Sequence, residues 1–486
     1  MIIRSLLITL SAFAITIMVS LNAFAQNEPQ NQRKITLTER FAETDPDILQ
    51  KIDQWQDLKF GFFMHWGIYA QKGLVESWSI CNEDWIDRKG VPYEYYKQWY
   101  WNLSKEFNPK QFNPDKWAKI AKNAGMKYVV FTSKHHDGFC MYDTKYTDYK
   151  ITNKHVSPFA REDGRDVLAE VLKSFRNEGF WTGVYFSKAD WHDTNYWSPL
   201  WATPDRNVNY SIDKYPERWQ KFSNFTYNQI KELTHNYGKL DILWLDGGWI
   251  RPSWSVIPNS EEEKWLGAYK RIQDIDMPKI AAMAREKNKN LIIVDRSVGG
   301  QFENYRTPEQ QVPAEPLDYP WETCMTMGDA WGYVPNDNYK STNTLIHLLC
   351  EIVCKGGNFL LNVGPDEKGN LPDAAVARMD SIGEWMRINS KAIYSTRPIA
   401  PYQSENICFT KSKNGNVYAI ILISDTVKLQ SSYDIPKIDG LKKGKKTILG
   451  SKQKAELKIS NTTMQITLPK KFIKNNKESN AIVIEL

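Results

Sequence analysis

Five apolar runs rich in β-branched and aromatic residues recur in chain order, and each ends in one or more ionisable side chains. Leu58-Lys-Phe-Gly-Phe-Phe-Met leads into His65, and Tyr128-Val-Val-Phe-Thr-Ser-Lys leads into His135-His136-Asp137. Gly183-Val-Tyr185-Phe-Ser-Lys-Ala reaches Asp190, Ile242-Leu-Trp244-Leu reaches Asp246, and Leu291-Ile-Ile-Val reaches Asp295-Arg296. A short continuous apolar run reads as a strand buried on both faces, so its polar residues belong where it leaves the core. Parallel α/β barrels gather their functional groups at that end of the strands. Helical segments alternate with the runs. Residues 114–124 begin with Pro and stop at Gly125, and 167–177 place Val167, Leu168, Val171, Leu172 and Phe175 on one face before Gly179. Longer amphipathic segments follow at 216–237 and 262–289. The alternation predicts a parallel sheet and, at this length, a (β/α)8-like barrel of TIM type over residues 26–395.

Regularity weakens after Arg296. Residues 299–319 are rich in Gly, Pro and Gln without periodicity, and a long unpatterned stretch inside a compact domain is usually functional. From residue 396 the texture changes to short alternating strands, which predicts a small C-terminal antiparallel β-sandwich over 396–486. Residues 1–25 read as a secretory signal: Arg4, an apolar core over 6–19, and Ala23-Phe24-Ala25 as a cleavage site. The mature chain is expected to be exported, to the periplasm rather than the medium, with no membrane span. The net charge of +6 is too small to imply nucleic acid, and the lysines between Lys437 and Lys477 read as solvated faces of the β domain. Six cysteines show no zinc spacing, and Cys350 and Cys354 lie on one helix face with poor disulfide geometry, so most are expected as buried thiols. The 19 Trp are unusual; a flat apolar face with a polar edge suits core packing and stacking on sugars alike.

Asp246 stands at a strand tip before Gly247-Gly248, either as a turn cap or as a catalytic carboxylate. A nucleophile for a glycoside must stay ionised and needs a second carboxyl about 5–5.5 Å away. Arg296 is the cation for that task unless Asp295 claims it as an ion pair. His65, His135 and His136 suit either recognition of several hydroxyls or, with Asp137, a metal. Adjacent residues of a strand point to opposite faces, so His135 and His136 share a pocket only if the strand breaks there.

Taken together, His65 in Phe-Gly-Phe-Phe-Met-His-Trp-Gly, Lys134-His135-His136-Asp137-Gly-Phe139, Tyr185, Leu243-Trp244-Leu-Asp246-Gly, Asp295-Arg296 and Trp331-Gly-Tyr333 resemble the retaining α-L-fucosidases of glycoside hydrolase family 29. The resemblance runs from Asp53 to Tyr394 in the family's order. It implies an exo-acting α-L-fucosidase on fucosylated oligosaccharides or glycoconjugates, with Asp246 as nucleophile and no metal or other cofactor. His65, His135, His136 and Tyr185 match residues that bind the sugar hydroxyls, Trp244 and Arg296 line the same pocket, and Trp331 matches an aromatic against the fucose methyl. Glu76 and Trp78 resemble a sugar-binding Glu-Trp pair, here separated by Ser77. The acid/base aligns with Glu309 in Thr307-Pro-Glu309; Glu303 and Glu322 are the alternatives, the latter as a residue that orients the site. Partial burial beside the substrate is expected to keep that acid protonated. A metal-dependent barrel hydrolase and a catalytically inactive fucose-binding protein are the competing classes. Loops around Trp85, residues 99–101 and residues 191–201 are expected to decide which linkage is cut.

Overall fold

The computed structural model describes residues 42–83, 85–161, 165–203, 205–256 and 272–486. The expected export signal at 1–25 and the beginning of the 262–289 segment lie outside the described residues. Seven parallel strands form the first sheet: β1 (Phe60–Met64), β2 (Tyr128–Lys134), β3 (Trp181–Ser187), β4 (Ile242–Asp246), β5 (Ile292–Asp295), β6 (Glu322–Thr326) and β7 (Asn358–Asn362), in the order β5-β4-β3-β2-β1-β7-β6. Helix α1 (Pro46–Leu58) precedes them; α2 (Tyr93–Trp101), α3 (Pro114–Asn123), α4 (Val167–Asn177), α5 (Pro216–Asn236), α6 (Met277–Ala284) and α7 (Thr342–Cys354) lie between them, and α8 (Asp373–Asn389) follows. Side-chain caps fix several starts: Asn113 accepts from the Lys116 N–H, Asp166 from Ala169 and Ser341 from Thr344.

The strands alternate between two cores. Phe63, Tyr128, Val130, Tyr185, Ile242, Trp244, Ile292, Val294 and Leu360 point inward as one cluster, while Phe62, Val129, Phe131, Val184, Leu243 and Ile293 face the helices. Helix α1 adds Ile48, Ile52 and Trp55 to the inner cluster, where Trp55 stacks on Tyr305 at 3.9 Å. Truncating one such side chain to Ala costs about 2–5 kcal/mol.

Between β5 and β6 no regular strand intervenes; the gap is filled by the unpatterned stretch. Glu303 bridges antiparallel to Val294, after which Arg306 and Glu309 bridge parallel to Trp321 and Cys324. Backbone bonds from Arg306 to the Pro320 carbonyl and from Glu322 to the Arg306 carbonyl hold it there. Pro308 has no N–H to give, so this stave pairs irregularly. The (β/α)8-like expectation thus holds with seven strands and one irregular stave.

The second sheet has eight antiparallel strands, β8 (Thr396–Ser404), β9 (Ile407–Ser412), β10 (Val417–Leu422), β11 (Ser432–Pro436), β12 (Gly444–Ile448), β13 (Lys454–Ile459), β14 (Thr463–Thr467) and β15 (Ala481–Glu485), in the order β11-β14-β13-β12-β15-β10-β9-β8. The predicted sandwich is therefore one continuous sheet curled until its ends, β8 and β11, approach each other. Tyr418, Ile420 and Leu422 of β10 pack toward the barrel helices and Val417, Ala419 and Ile421 into the sheet's own core, so this strand is buried on both sides. All six cysteines are buried and free. Among the described residues, no helix is long and apolar enough to cross a membrane.

Candidate active site

Asp246 is the last residue of β4. Its Oδ2 accepts from the Tyr185 hydroxyl at 2.8 Å, and its Oδ1 from the Gly247 N–H at 2.8 Å and from Arg296 at 3.2 Å. Gly247 adopts φ +90°, which L side chains disfavour, and this turn brings its N–H back onto the carboxylate. Burial alone would push the Asp246 carboxyl up. The Arg296 guanidinium outweighs it, with help from Tyr185 and Gly247, and holds the carboxyl at about 2. The group is ionised at any ordinary pH.

Arg296 does not pair with Asp295. Lys188 takes Asp295, both side chains buried, and also donates to the Ile250 carbonyl at 2.8 Å. Arg296 is left to span two carboxylates, Asp246 through one terminal nitrogen and Glu309 through the other. Two carboxyls on one guanidinium are compatible with the short separation of retaining hydrolysis. The irregular stave carries Glu309 there. The alternatives do not converge on this point. Glu303 accepts from the Ser297 N–H at 2.8 Å and pairs with Arg306 at 3.1 Å. Glu322 is the first residue of β6, so it lies at the opposite end of its strand, inside the barrel. It accepts from Tyr128 at 2.5 Å and from the Trp244 indole at 3.4 Å. Burial raises its carboxyl to about 8, which makes it an uncharged support beneath Trp244.

The histidines do meet. Strand β2 shifts register between Thr132 and Lys134 and ends at Lys134, so His135 and His136 lie beyond the pleat with rings 4.3 Å apart. His65 follows β1 and lies 5.7 Å from His135, ring to ring. Burial lowers all three, His65 and His136 to about 4, so neutral imidazoles face the pocket. Each is oriented through Nδ1: His65 by Asn362 at 2.8 Å, His136 by Ser187 at 2.6 Å, and His135 by the Ser77 hydroxyl. These three partners were not singled out from sequence. Ser187 and Asn362 are the last residues of β3 and β7, and a search of strand tips for neutral polar residues would have found both. Ser77, the residue that separates Glu76 from Trp78, had no such signal.

Glu76 is 2 % exposed, sits at φ +39°, and leaves Oε1 without a partner among the described residues. Burial first, then the negative charge of Glu309, raises it to about 8. A strained, uncharged carboxyl with a free oxygen is a hydrogen-bonding group held ready for a ligand. Trp331 packs on His65 at 5.0 Å and Trp244 lies flat against Tyr185 at 5.4 Å, under Arg296. Trp78 packs against His136 and Trp191, 5.3 Å from each. No three His, Cys, Asp or Glu side chains group as metal ligands among the described residues.

A parallel barrel that offers an ionised carboxylate, a second carboxyl on the same arginine and a ring of neutral imidazoles and indoles is the architecture of a glycoside hydrolase. Known proteins narrow that class. The family profile described as Alpha-L-fucosidase matches residues 24–391. "Alpha-L-fucosidase" from Dictyostelium discoideum is 29% identical over 431 residues, covering 84% of this chain and 85% of that one. "Tissue alpha-L-fucosidase" from Bos taurus is 28% identical and covers 76% and 74%. Among solved structures, alpha-L-fucosidase isoenzyme 1 from Paenibacillus thiaminolyticus superposes with a TM-score of 0.69 at 30% identity, over 90% of this chain and 99% of that one. A Bacteroides thetaiotaomicron enzyme of glycoside hydrolase family 29, trapped as a covalent intermediate with 2-fluoro-fucosyl fluoride, gives 0.70 at 25% identity over 92% and 97%. This chain belongs to the alpha-L-fucosidase family, and its chemistry is retaining hydrolysis of terminal α-L-fucosyl linkages.

Proposed function

We propose that Asp246 is the nucleophile and Glu309 the acid/base of this double displacement, acting on fucosylated oligosaccharides or glycoconjugates. The observation that carries the assignment is Arg296, which binds both carboxyls at once. In the first step Asp246 attacks the anomeric carbon while Glu309, protonated, gives its proton to the departing oxygen. Esterification removes the negative charge of Asp246, and Arg296 is then left to the Glu309 carboxylate. In that state Glu309 takes a proton from water as the water attacks, and fucose leaves with its configuration retained. Neutral His65, His135 and His136 each offer a ring nitrogen to a hydroxyl, and protonated Glu76 donates without adding further negative charge to the site. Trp331 supplies an apolar face for the sugar methyl, and Tyr185 and Trp244 hold the nucleophile's floor. Trp78, turned toward Trp191, serves the aglycone side. The charge-poor apolar run before Ala23-Phe24-Ala25 supports export, to the periplasm.

The test is hydrolysis of 4-nitrophenyl α-L-fucoside by the mature protein, beside Asp246→Ala and Glu309→Ala, with and without chelator. Activity lost in Asp246→Ala and indifferent to chelator supports the assignment. Activity that survives Asp246→Ala, or that chelator removes, contradicts it.

A further inference from the structure

The loops that follow β1, β2 and β3 all leave the barrel on the face that carries Asp246, and between them lies a cavity of about 740 Å³ that contains none of the groups assigned above. Its walls are aromatic. Trp101 ends α2, Trp191, Trp197 and Trp201 come from the loop after β3, and Tyr149 comes from the loop after β2. Trp191 is shared between cavity and catalytic pocket. Its ring lies 4.9 Å from His136 on one side and stacks on Trp197 at 4.9 Å on the other, with the two planes 4° apart. His136 is in turn 3.7 Å from Asp246. The cavity thus begins one tryptophan away from the sugar-binding histidines.

The polar groups complete the picture. Gln98 and Asn102 stand exposed at the rim, and Lys97 lies over the Trp197 ring. The Trp101 indole N–H is buried and has no acceptor among the described residues. Trp191, Trp197 and Tyr149 form the buried back of the wall, and the part-exposed indoles of Trp101 and Trp201, with the Gln98 amide at the rim, suit pyranose rings, whose C–H faces stack while their hydroxyls bond at the edge. The volume is that of a ligand site rather than a packing defect.

We propose that this cavity is a distal carbohydrate subsite, which holds uncharged pyranose residues of the glycan beyond the sugar that bears the fucose. It rests on the fucosidase reading of the adjoining pocket and extends it to the aglycone: the preferred substrate is a fucosylated oligosaccharide long enough to pass Trp191, rather than a fucosyl disaccharide.

The experiment compares wild type, Trp201→Ala and Gln98→Trp on two substrates, 4-nitrophenyl α-L-fucoside and a neutral fucosylated hexasaccharide. Trp201 is half-buried, so Gln98→Trp, at an exposed position, blocks the same space without disturbing a core contact. Both variants should lose about tenfold in kcat/KM on the hexasaccharide, through KM, and stay within about twofold of wild type on the aryl fucoside. Equal losses on both substrates, or an unaffected hexasaccharide, overturn the subsite. Saturation-transfer NMR with the fucose-free oligosaccharide separates this from the underlying reading. Contacts to the distal rings in wild type that vanish in Gln98→Trp support the subsite even if the enzyme proves inactive, and their absence in wild type overturns it. A wild type that releases fucose from neither substrate sinks the fucosidase reading alone.

Discussion

Asp246 and Glu322 are two carboxyls of one barrel, linked through Trp244, and their environments drive them in opposite directions. Asp246 ends β4 and opens to the pocket with 15% of its side chain exposed; Glu322 starts β6 and is fully enclosed. Both carry a strong burial penalty. Asp246 offsets it with the Arg296 guanidinium and a backbone N–H and settles at about 2. Glu322 has only the phenols of Tyr128 and Tyr305 and the Trp244 indole to offset it and rises to about 8. Neutral donors stabilise a carboxylate less than a cation does, so the enclosed carboxyl keeps its proton. The same barrel therefore makes a charged reagent at its mouth and an uncharged strut beneath it.

The comparison is broken most severely by Asp246→Ala, for which kcat/KM on the aryl fucoside should fall on the order of a thousandfold or more. Arg296→Met attacks the cause of the difference. It should cost about a hundredfold or more in kcat/KM, and the acid limb of the kcat/KM profile should move up toward the ordinary carboxylate range as Asp246 loses its cation. An unshifted limb would show that Arg296 does not hold the nucleophile ionised. In the interior, Glu322→Ala leaves the Tyr128 hydroxyl without its acceptor and should cost about 1–3 kcal/mol in denaturant unfolding, with the activity loss confined to a few-fold.

Glu322→Gln is the mildest change and sharpens the sign of the shift. Because the folded-state value lies above the unfolded one, the unfolded chain releases a proton between about 4.5 and about 8 that the native protein keeps. Stability from this group is therefore present at low pH and declines as pH rises through that window, by up to about 1.4 kcal/mol per pH unit. Glu322→Gln should remove that decline, so the variant gains on wild type as pH rises. A pH-independent difference between the two would contradict a protonated Glu322.

The β1–β5 tips were legible because strands buried on both faces write continuous apolar runs, and any ionisable residue at their ends stands out. Asp246, Arg296 and the three histidines were found that way. The eighth stave was not legible as a strand, since its pairing with β5 and β6 is irregular and Pro308 interrupts it; only its length and lack of pattern marked it as functional. Proximity in sequence to Glu309 makes Glu322 an acid/base candidate, although a residue that opens a parallel strand sits at the end away from the site. The Lys188–Asp295 pair, which frees Arg296, joins β3 to β5 across β4, and no local pattern announces it. Ser77 on His135 likewise depends on a fold-back of the loop after β1 that the sequence does not specify.

The most direct measurement is covalent trapping. The enzyme is incubated with 2-fluoro-fucosyl fluoride, its intact mass recorded, and the labelled peptide sequenced by mass spectrometry. A single added fluorofucosyl group on Asp246, absent in Asp246→Ala, is the result predicted here. A label on Glu309, Glu76 or any other residue, in enzyme that turns over the aryl fucoside, would contradict the account.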